Sequence, residues 1–328
     1  MKPRLAVILA TYNGERYLAE QLQSILDQTR PPDEIIVTDD GSSDATMEIA
    51  ETFAHRSRRA AIRLVAGPRT GLADNFLQGL AWTECDLVAW SDQDDIWHPA
   101  KLSISRHALD AHAAEFVSHS ATVVHGVHAA PSSNRCPDYR RTRVNRPLHG
   151  DPWHVPSGFA SVFRRRLLDG IDVSTRPVSH QTLRPMNHDH LVSLTAFASA
   201  RRIELADSLA SYRQHDNNVA GDPTARGVAA IREAMQTRAE DYAILADITL
   251  GYADFVGSLP RAVPGAEALF VRCAERIRRR SELYRAASPI ERARRLTDGL
   301  AHRDYGRRTN GHLSALAFAR DTVHVVAG

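Results

Sequence analysis

The first hundred residues alternate short apolar segments with amphipathic segments, and this alternation restricts the fold more than any other feature. Predicted strands lie at residues 5–10, 34–38, 62–66 and 87–90, and predicted helices begin at Glu15, Asp44 and Leu72. The segment 5–10 contains only apolar residues, which is typical of a strand buried on both faces. Strands that alternate with helices form parallel sheets with helices on both faces, so we predict an α/β fold.

Polar residues follow three of these strands at the point where each strand ends. Thr11, Tyr12 and Asn13 follow the first strand, Asp40 follows the second, and the segment 92–95 follows the fourth. In open parallel sheets, ligands bind outside the carboxyl ends of the strands. We therefore predict one binding site along this edge of the sheet.

The segment 92–95, DQDD, is the strongest candidate for a metal site. Asp92 and Asp94 are one residue apart at a strand end, where two carboxylates can hold a divalent cation, and oxygen ligands favour Mg²⁺ or Mn²⁺. The alternative is a solvated turn in which an aspartate caps the next helix. The apolar Trp97 and the rigid Pro99 follow closely, which favours the metal site over an acidic surface turn.

The segment 39–44, DDGSSD, makes Asp40 a candidate for reading a nucleotide base. A carboxylate can accept a hydrogen bond from the N3 imide of uracil or thymine, a donor that cytosine lacks. Ser43 or Asp44 is expected to cap the following helix, and the alternative is that the whole segment serves only as turn and cap. The turn at residues 11–14 is weak evidence by itself, since polar turns between a strand and a helix are common.

Composition sets limits on the class of protein. The 328 residues suit one large domain or two modest ones, and 41 basic against 39 acidic residues give a net charge of +2, unlike a dedicated nucleic-acid binder. Three distant cysteines, Cys85, Cys136 and Cys273, argue against a thiolate zinc site or a disulfide framework and agree with a reducing compartment. The N-terminal segment is expected to be a strand rather than a signal peptide. The sequence contains no uninterrupted apolar run of about 18 residues, so we expect no membrane span.

The middle of the chain is less regular, and the tail is predicted to be helical. Residues 121–127 are a predicted strand, whereas 130–151 and 174–185 are predicted surface loops. From residue 224 onward, apolar residues recur at helical spacing. The Arg-rich segment 272–285 fits a solvated helix packed on the body, and it also fits a basic amphipathic helix lying on anionic lipid.

Two further polar clusters lie in the middle region. Asp189, within HDH at 188–190, stands in the first turn of a predicted helix, where an acidic residue is favourable for the helix dipole or available for chemistry. A zinc site on these three residues is disfavoured, because adjacent side chains do not face one another on a helix. Arg213 and His215 could contact a diphosphate or its metal ion, or could serve the structure alone.

Taken together, these segments resemble the family 2 glycosyltransferases, which have a GT-A fold, and most closely their rhamnosyltransferase-like bacterial branch. The matching segments are ILATYNGERYLAEQLQSILDQT, IIVTDDGSSD, GLADNF, WSDQDDIWHPAKL, NHDHLVSL and YRQHDNNVAG. They span residues 5–221, and the tail is not covered. The resemblance implies a GT-A domain with a Rossmann-like, mostly parallel sheet at 1–223, comprising a nucleotide-sugar half (1–115) and an acceptor half (116–223), and a helical C-terminal region at 224–328.

The resemblance also implies roles for individual residues. Asp189 matches the catalytic base, and Asp94, with Asp92, matches the metal-binding DxD pair, with His215 as a further metal ligand. The residues implied to bind the nucleotide sugar are Thr11, Tyr12, Asn13, Glu15, Asp40, Gly71, Asn75, Asp92, Gln93, Arg213 and His215. Many members have a glutamate before the base, whereas this chain has His188, so the role of His188 is open.

The implied function is inverting transfer of a sugar, with rhamnose as the expectation from the branch, from a uridine or thymidine diphosphate sugar. The cofactor would be Mg²⁺ or Mn²⁺, and the acceptor a hydroxyl of a cell-surface glycan, a lipid-linked molecule or a small molecule in polysaccharide biosynthesis. The expected location is cytoplasmic, and no nucleic-acid partner is expected. The basic tail helices are compatible with contact with the inner face of the plasma membrane. A homodimer is also compatible with the sequence.

Two other classes of protein stay open as alternatives. A nucleotidyltransferase would carry a Gly-rich basic loop after the first strand, and ATYNGERY lacks one. A non-catalytic nucleotide-sugar-binding protein would not need the set Asp92, Asp94 and Asp189. A Rossmann dehydrogenase is disfavoured because no GxGxxG follows the first strand.

Overall fold

The computed structural model describes residues 2–126, 130–215, 238–302, 304 and 314–327, and within them it confirms the predicted α/β class. The strands are β1 (Leu5–Thr11), β2 (Glu34–Asp39), β3 (Ala61–Ala66), β4 (Leu87–Ser91), β5 (Ile96–Trp97), β6 (Phe116–His125), β7 (Ala130–Arg135), β8 (Arg143–Asn145), β9 (Ser161–Arg164) and β10 (Arg202–Gln214). The helices are α1 (Leu18–Leu26), α2 (Thr46–Arg56), α3 (Leu72–Leu80), α4 (Lys101–Ala111), α5 (His188–Ser199), α6 (Ala239–Ser258), α7 (Ala266–Arg285), α8 (Pro289–Ala301) and α9 (Ser314–Ala327).

The chain divides into two compact units. The first comprises Met1–Pro147, Val155–Val173 and Asn187–Pro223, and it contains every strand found among the described residues. The second comprises Leu148–His154, Ser174–Met186 and Thr224–Gly328, so two short segments from the middle of the sequence group with the helical tail.

The sheet is parallel in its first half and mixed in its second half. Its strands lie in the order β3-β2-β1-β4-β9-β6-β10-β5, with β7 beside β6 and β8 beside β10. β1 to β4 are parallel, as predicted; for example, Ile8 lies between Ile36 and Trp90 on the neighbouring strands. Beyond β4, β9 runs antiparallel to both β4 and β6, and β10 runs parallel to β6. The carboxyl ends of β1, β2 and β4 therefore lie side by side.

Both faces of the central strands are covered, which leaves their ends for ligands. All seven residues of β1 are buried, as its apolar sequence requires. Leu18, Leu22 and Ile25 recur on one side of α1 and are fully buried in the same core cluster as Leu9. Because side chains fill both faces of β1, a polar ligand can approach this strand only at its ends, and in such sheets ligands bind at the carboxyl ends.

The middle of the first unit contains more strand than the sequence pattern indicated. The strand predicted at 121–127 begins earlier, at Phe116. The prediction missed its first residues because the buried polar residues 118–120 interrupt the apolar pattern. The loop predicted at 130–151 is wrong in part, since it contains β7 and β8. β7 pairs with β6 and β8 pairs with β10, and the sequences APSSNR and RVN have no period-two apolar pattern that would mark them as strands.

The helices of the second unit neutralise much of the Arg-rich segment of the tail. Arg276 and Arg279 both lie within ion-pair distance of Asp304, and Arg280 forms an ion pair with Asp321 at 2.8 Å. These pairs favour the interpretation of α7 as a packed helix, whereas membrane contact through it stays a prediction. Within the described ranges, none of the helices is both long and apolar enough to cross a membrane.

Candidate active site

The ends of β1 and β2 are joined by a buried aspartate, Asp39. Its carboxylate accepts hydrogen bonds from the Thr11 hydroxyl at 2.9 Å and from the backbone N–H groups of Gly41 and Ser42 at 3.1 and 2.8 Å. Gly41 has a φ of +97°, a conformation that favours glycine. Thr11, predicted to line the nucleotide pocket, is thus a buried residue that holds the two strand ends together.

Asn13 and Glu15 connect the turn after β1 to the turn after β2. Asn13 has a φ of +47°, and its Oδ1 accepts the backbone N–H of Ser43 at 2.9 Å. The Glu15 carboxylate accepts the backbone N–H of Ala45 at 2.9 Å. Asp44 accepts the N–H of Thr46 at 3.0 Å, but Ala45 rather than the expected Ser43 or Asp44 occupies the N-cap position of α2. These bonds make the edge a rigid surface before any ligand binds.

Asp40 lies at the end of β2 and organises a third loop. Its two carboxylate oxygens accept the backbone N–H groups of Arg69 at 2.6 Å and of Gly71 at 2.9 Å. Gly71 has a φ of +108°, which explains glycine at this position. Asn75, from α3, is buried and donates through Nδ2 to the carbonyl of Thr38 at 2.9 Å. Hydrogen bonds therefore connect three residues that were predicted to bind the nucleotide sugar, namely Asp40, Gly71 and Asn75.

Gln93 ties the DQDD segment to the turn after β1. Its Oε1 accepts the N–H of Tyr12 at 2.9 Å, and its Nε2 donates to the carbonyl of Tyr12 at 3.0 Å. A Cβ on Gly14 would lie 2.2 Å from Oε1 of Gln93, so a larger residue there would displace the Gln93 amide from Tyr12. The Tyr12 ring itself is 58 % exposed, which leaves its face available for stacking.

The aspartates of DQDD have three different environments. Asp94 is close to His215, with 3.0 Å between Oδ2 and Nε2. Asp95 is buried, and burial raises its pKa well above the ordinary value, while its Oδ1 accepts the N–H of Arg213. Asp92 is half-buried; burial, then repulsion from Asp94 and from Asp189, raises its pKa to about 7. Asp92 is therefore electrostatically coupled to both other predicted site carboxylates.

Asp189 stands at the start of α5 in a half-buried position. Burial raises its pKa to about 6, and hydrogen bonds from the backbone of His190, at 2.7 Å, and of Gly158 counteract that rise. The preceding His188 is buried and stacks on Phe76 with 3.9 Å between ring centres. A Cβ on Gly158 would lie 2.7 Å from Nε2 of His188. His188 thus packs inside the protein, and Asp189 is the residue of this segment that is accessible for chemistry.

Arg213, which was predicted to contact the donor diphosphate, is enclosed by protein groups beside the DQDD segment. Its side chain is fully buried, and its guanidinium donates to the carbonyl oxygens of Asp94 and Gly126 and to the carboxylate of Glu20. Because protein groups already hold this guanidinium, its predicted contact with the donor diphosphate stays a prediction. His215, 13 % exposed, stays beside Asp94 as expected.

Lys101 is a buried residue near the site, and no sequence motif marked it as a candidate. Its Nζ donates to the carbonyl of Phe159 at 2.5 Å and lies 3.5 Å from the centre of the Trp97 ring. Burial lowers the pKa of Lys101 well below its ordinary value, and the charges of Asp95 and Asp92 counteract this effect. The available signal was its rarity, since Lys2 and Lys101 are the only lysines among 41 basic residues.

Comparison with known proteins identifies a family for this chain. The family model for "Glycosyl transferase family 2" matches residues 6–171. An uncharacterised glycosyltransferase of Nostoc sp. is 26 % identical over 218 residues, covering 66 % of each chain. The dTDP-rhamnosyl transferase RfbG of Shigella flexneri is 35 % identical over 107 residues, covering 31 % of this chain and 36 % of RfbG. The chain thus spans less than two thirds of the length of either relative.

The fold is also similar to that of a solved structure. The crystal structure of S. aureus TarS in complex with UDP superimposes with a TM-score of 0.59 at 17 % identity, covering 98 % of this chain and 89 % of that chain. This likeness agrees with the GT-A fold expected from the sequence. On the match to the family model, which covers half of its length, the chain belongs to glycosyl transferase family 2.

Proposed function

We propose that this chain transfers a sugar from a nucleoside diphosphate sugar to an acceptor hydroxyl, with inversion at the anomeric carbon. The observation that carries the proposal is that hydrogen bonds join the polar residues after β1, β2 and β4 into one edge, where Asp94 and Asp189 lie near enough to Asp92 for their charges to raise its pKa. It supports a single reaction space bordered by a metal-binding carboxylate and a general base. Membership of glycosyl transferase family 2 supports the same reaction class.

For the donor, we propose a uridine or thymidine diphosphate sugar, with rhamnose as the preferred sugar. Each Asp40 oxygen accepts one backbone N–H, and a carboxylate oxygen has capacity for a second donor such as the imide of a pyrimidine. The exposed ring of Tyr12 offers a surface on which the base can stack. UDP in the TarS complex supports the uridine donor, and the name of RfbG supports thymidine diphosphate rhamnose.

For the metal, we propose Mn²⁺ or Mg²⁺ held by Asp94 and His215. Their facing atoms are 3.0 Å apart, so a carboxylate oxygen and an imidazole nitrogen already converge on one point. In the part of the chain that the structure describes, no group of three or more His, Cys, Asp or Glu side chains could hold a metal alone. Two protein ligands fit a cation that takes its other ligands from diphosphate and water. When bound, such a cation neutralises charge that develops on the leaving diphosphate.

For the chemistry, we propose that Asp189 accepts the proton of the acceptor hydroxyl. As the acceptor oxygen forms a bond to the anomeric carbon, the bond from that carbon to the diphosphate oxygen breaks. A pKa of about 6 keeps Asp189 ionised near neutral pH while making it a better base than an ordinary aspartate. Gly158 and His190 hold the carboxylate in one orientation through their backbone N–H groups. We assign the donor subsite to residues 1–115 and the acceptor subsite to residues 116–223.

The first experiment identifies the donor by thermal shift with UDP, dTDP and GDP, each with Mn²⁺. We expect UDP or dTDP to raise the Tm, and Asp40→Ala to reduce that increase. Stabilisation by GDP alone would contradict the role of Asp40.

The second experiment tests catalysis through turnover of the selected nucleotide sugar, with water as the acceptor if no other is known. Asp189→Asn should lower turnover by about 10²–10⁴-fold and leave the nucleotide-induced Tm increase unchanged. Asp207→Asn, which removes an exposed carboxylate from β10, is the matched control and should keep full turnover. Wild-type turnover in Asp189→Asn would remove the base assignment, and absence of any turnover by the wild type would favour a non-catalytic binding protein.

A further inference from the structure

Arg213 is a fully buried arginine at the end of β10, and its contacts reach three separate parts of the first unit. Its Nε donates to the carbonyl of Asp94 at 2.8 Å, one terminal nitrogen donates to the carbonyl of Gly126 at 2.7 Å, and the other donates to the Glu20 carboxylate at 2.6 Å. Its backbone N–H donates to Oδ1 of Asp95 at 3.1 Å. A buried guanidinium needs such partners, because desolvating an unpaired charge is costly.

Two of these contacts fall on consecutive residues of the DQDD segment. The side chain of Arg213 holds the carbonyl of Asp94, and its backbone holds the carboxylate of Asp95. One residue therefore holds the carbonyl of the peptide between the two aspartates and the side chain of the residue that follows it. The direction in which the Asp94 carboxylate leaves the backbone depends on the orientation of that peptide.

Arg213 also supports His215, the other proposed metal ligand, through the ring of Tyr17. Tyr17 precedes α1, and its ring lies 5.0 Å from the guanidinium carbon of Arg213 and 4.7 Å from the ring centre of His215, with which it stacks. Arg213 and His215 are two residues apart, so they project to the same side of an extended chain. Glu20, one turn further along α1, holds the guanidinium from that side.

We propose that Arg213 is a positioning residue that sets the spacing between Asp94 and His215, with Glu20 and Tyr17 as its support. This inference deepens the proposed function and rests on it, because it concerns the metal ligands assigned there. Arg213 acts on the metal through the Asp94 peptide and the Tyr17 ring. The planar guanidinium is required, since a lysine ammonium cannot donate in three fixed directions at once.

The test measures Mn²⁺ affinity by calorimetry on the full chain in the presence of saturating UDP or dTDP, whichever stabilises it. We expect Arg213→Lys and Arg213→Met to weaken Mn²⁺ binding by about 10–100-fold, the range typical of residues that orient metal ligands. Glu20→Gln keeps the buried arginine and weakens one contact, so a smaller loss, of about 10-fold at the lower end of that range, is expected. This second variant keeps the inference testable if a variant of Arg213 does not fold.

Arg202→Met is the matched control, because Arg202 is also buried and lies at the opposite end of β10. It should lower the Tm and leave Mn²⁺ affinity unchanged, which separates loss of stability from loss of ligand positioning. Wild-type Mn²⁺ affinity in folded Arg213→Lys and Glu20→Gln, together with a loss in Asp94→Asn, would overturn the inference and leave the proposed function intact. Unchanged Mn²⁺ affinity in Asp94→Asn would overturn the metal assignment and this inference together.

Discussion

Asp189→Asn should make the protein more stable near neutral pH, even though it removes the proposed base. Asp189 has a pKa of about 6 in the folded chain against an ordinary value of 3.8, and burial is the main cause. Folding therefore makes the charged form less favourable than it is in the unfolded chain. Asparagine has a similar shape and no charge to desolvate, so the substitution should remove this cost.

The size of the effect follows from the two pKa values. Their difference corresponds to about 3 kcal/mol at about 1.36 kcal/mol per pKa unit. Between pH 3.8 and about 6 the folded chain holds a proton that the unfolded chain has lost, so stability falls as the pH rises through that window, and the full cost remains above it. Because Asp189 is half-buried and an amide nitrogen cannot accept a hydrogen bond, we expect a net gain of about 1–2 kcal/mol.

The assay is urea unfolding of the wild type and Asp189→Asn without nucleotide or metal. The stability difference between the two proteins should be largest at about pH 7.5, and at about pH 4.5 it should be only about one third as large, as the linkage relation requires. Asp207→Asn, at an exposed position, should show almost no difference at either pH. Equal stability of Asp189→Asn and the wild type at both pH values would refute the reasoning, because it would mean that folding does not desolvate this carboxylate.

Two further predictions concern the short helical turn Gly158–Ala160, whose first residue donates its backbone N–H to the Asp189 carboxylate. Lys101→Met should remain folded but lose about 10²-fold in kcat, with little change in the KM for the donor. The reason is that the carbonyl of Phe159 loses its buried partner, so the turn shifts. Unchanged steady-state kinetics would contradict this prediction. Gly158→Ala should lower stability by about 1–3 kcal/mol, since the new Cβ would lie 2.7 Å from the His188 ring. Gly251→Ala is the control in thermal unfolding, because a Cβ there meets open space; an equal Tm change in both variants would contradict the steric argument.

Local patterns predicted the first half of the sheet and part of the site well. β1 was recognisable because a wholly apolar segment of seven residues or fewer is typical of a strand covered on both faces, and burial of all its residues confirms this. The mixed second half was less predictable. β7 and β8 are short and carry little apolar patterning, so no periodic signal distinguishes them from a loop.

The sequence by itself determined the α/β class, the edge of the sheet that carries the polar residues, and the positions of Asp40, Asp94 and Asp189 as candidates for chemistry. Only the tertiary structure decided what Arg213 and Lys101 do. Arg213 meets Glu20 across 193 residues, and Lys101 meets Phe159 across 58. Periodicity and turn chemistry report on neighbours along the chain, whereas such distant pairs form only when the strand order of the sheet brings them together.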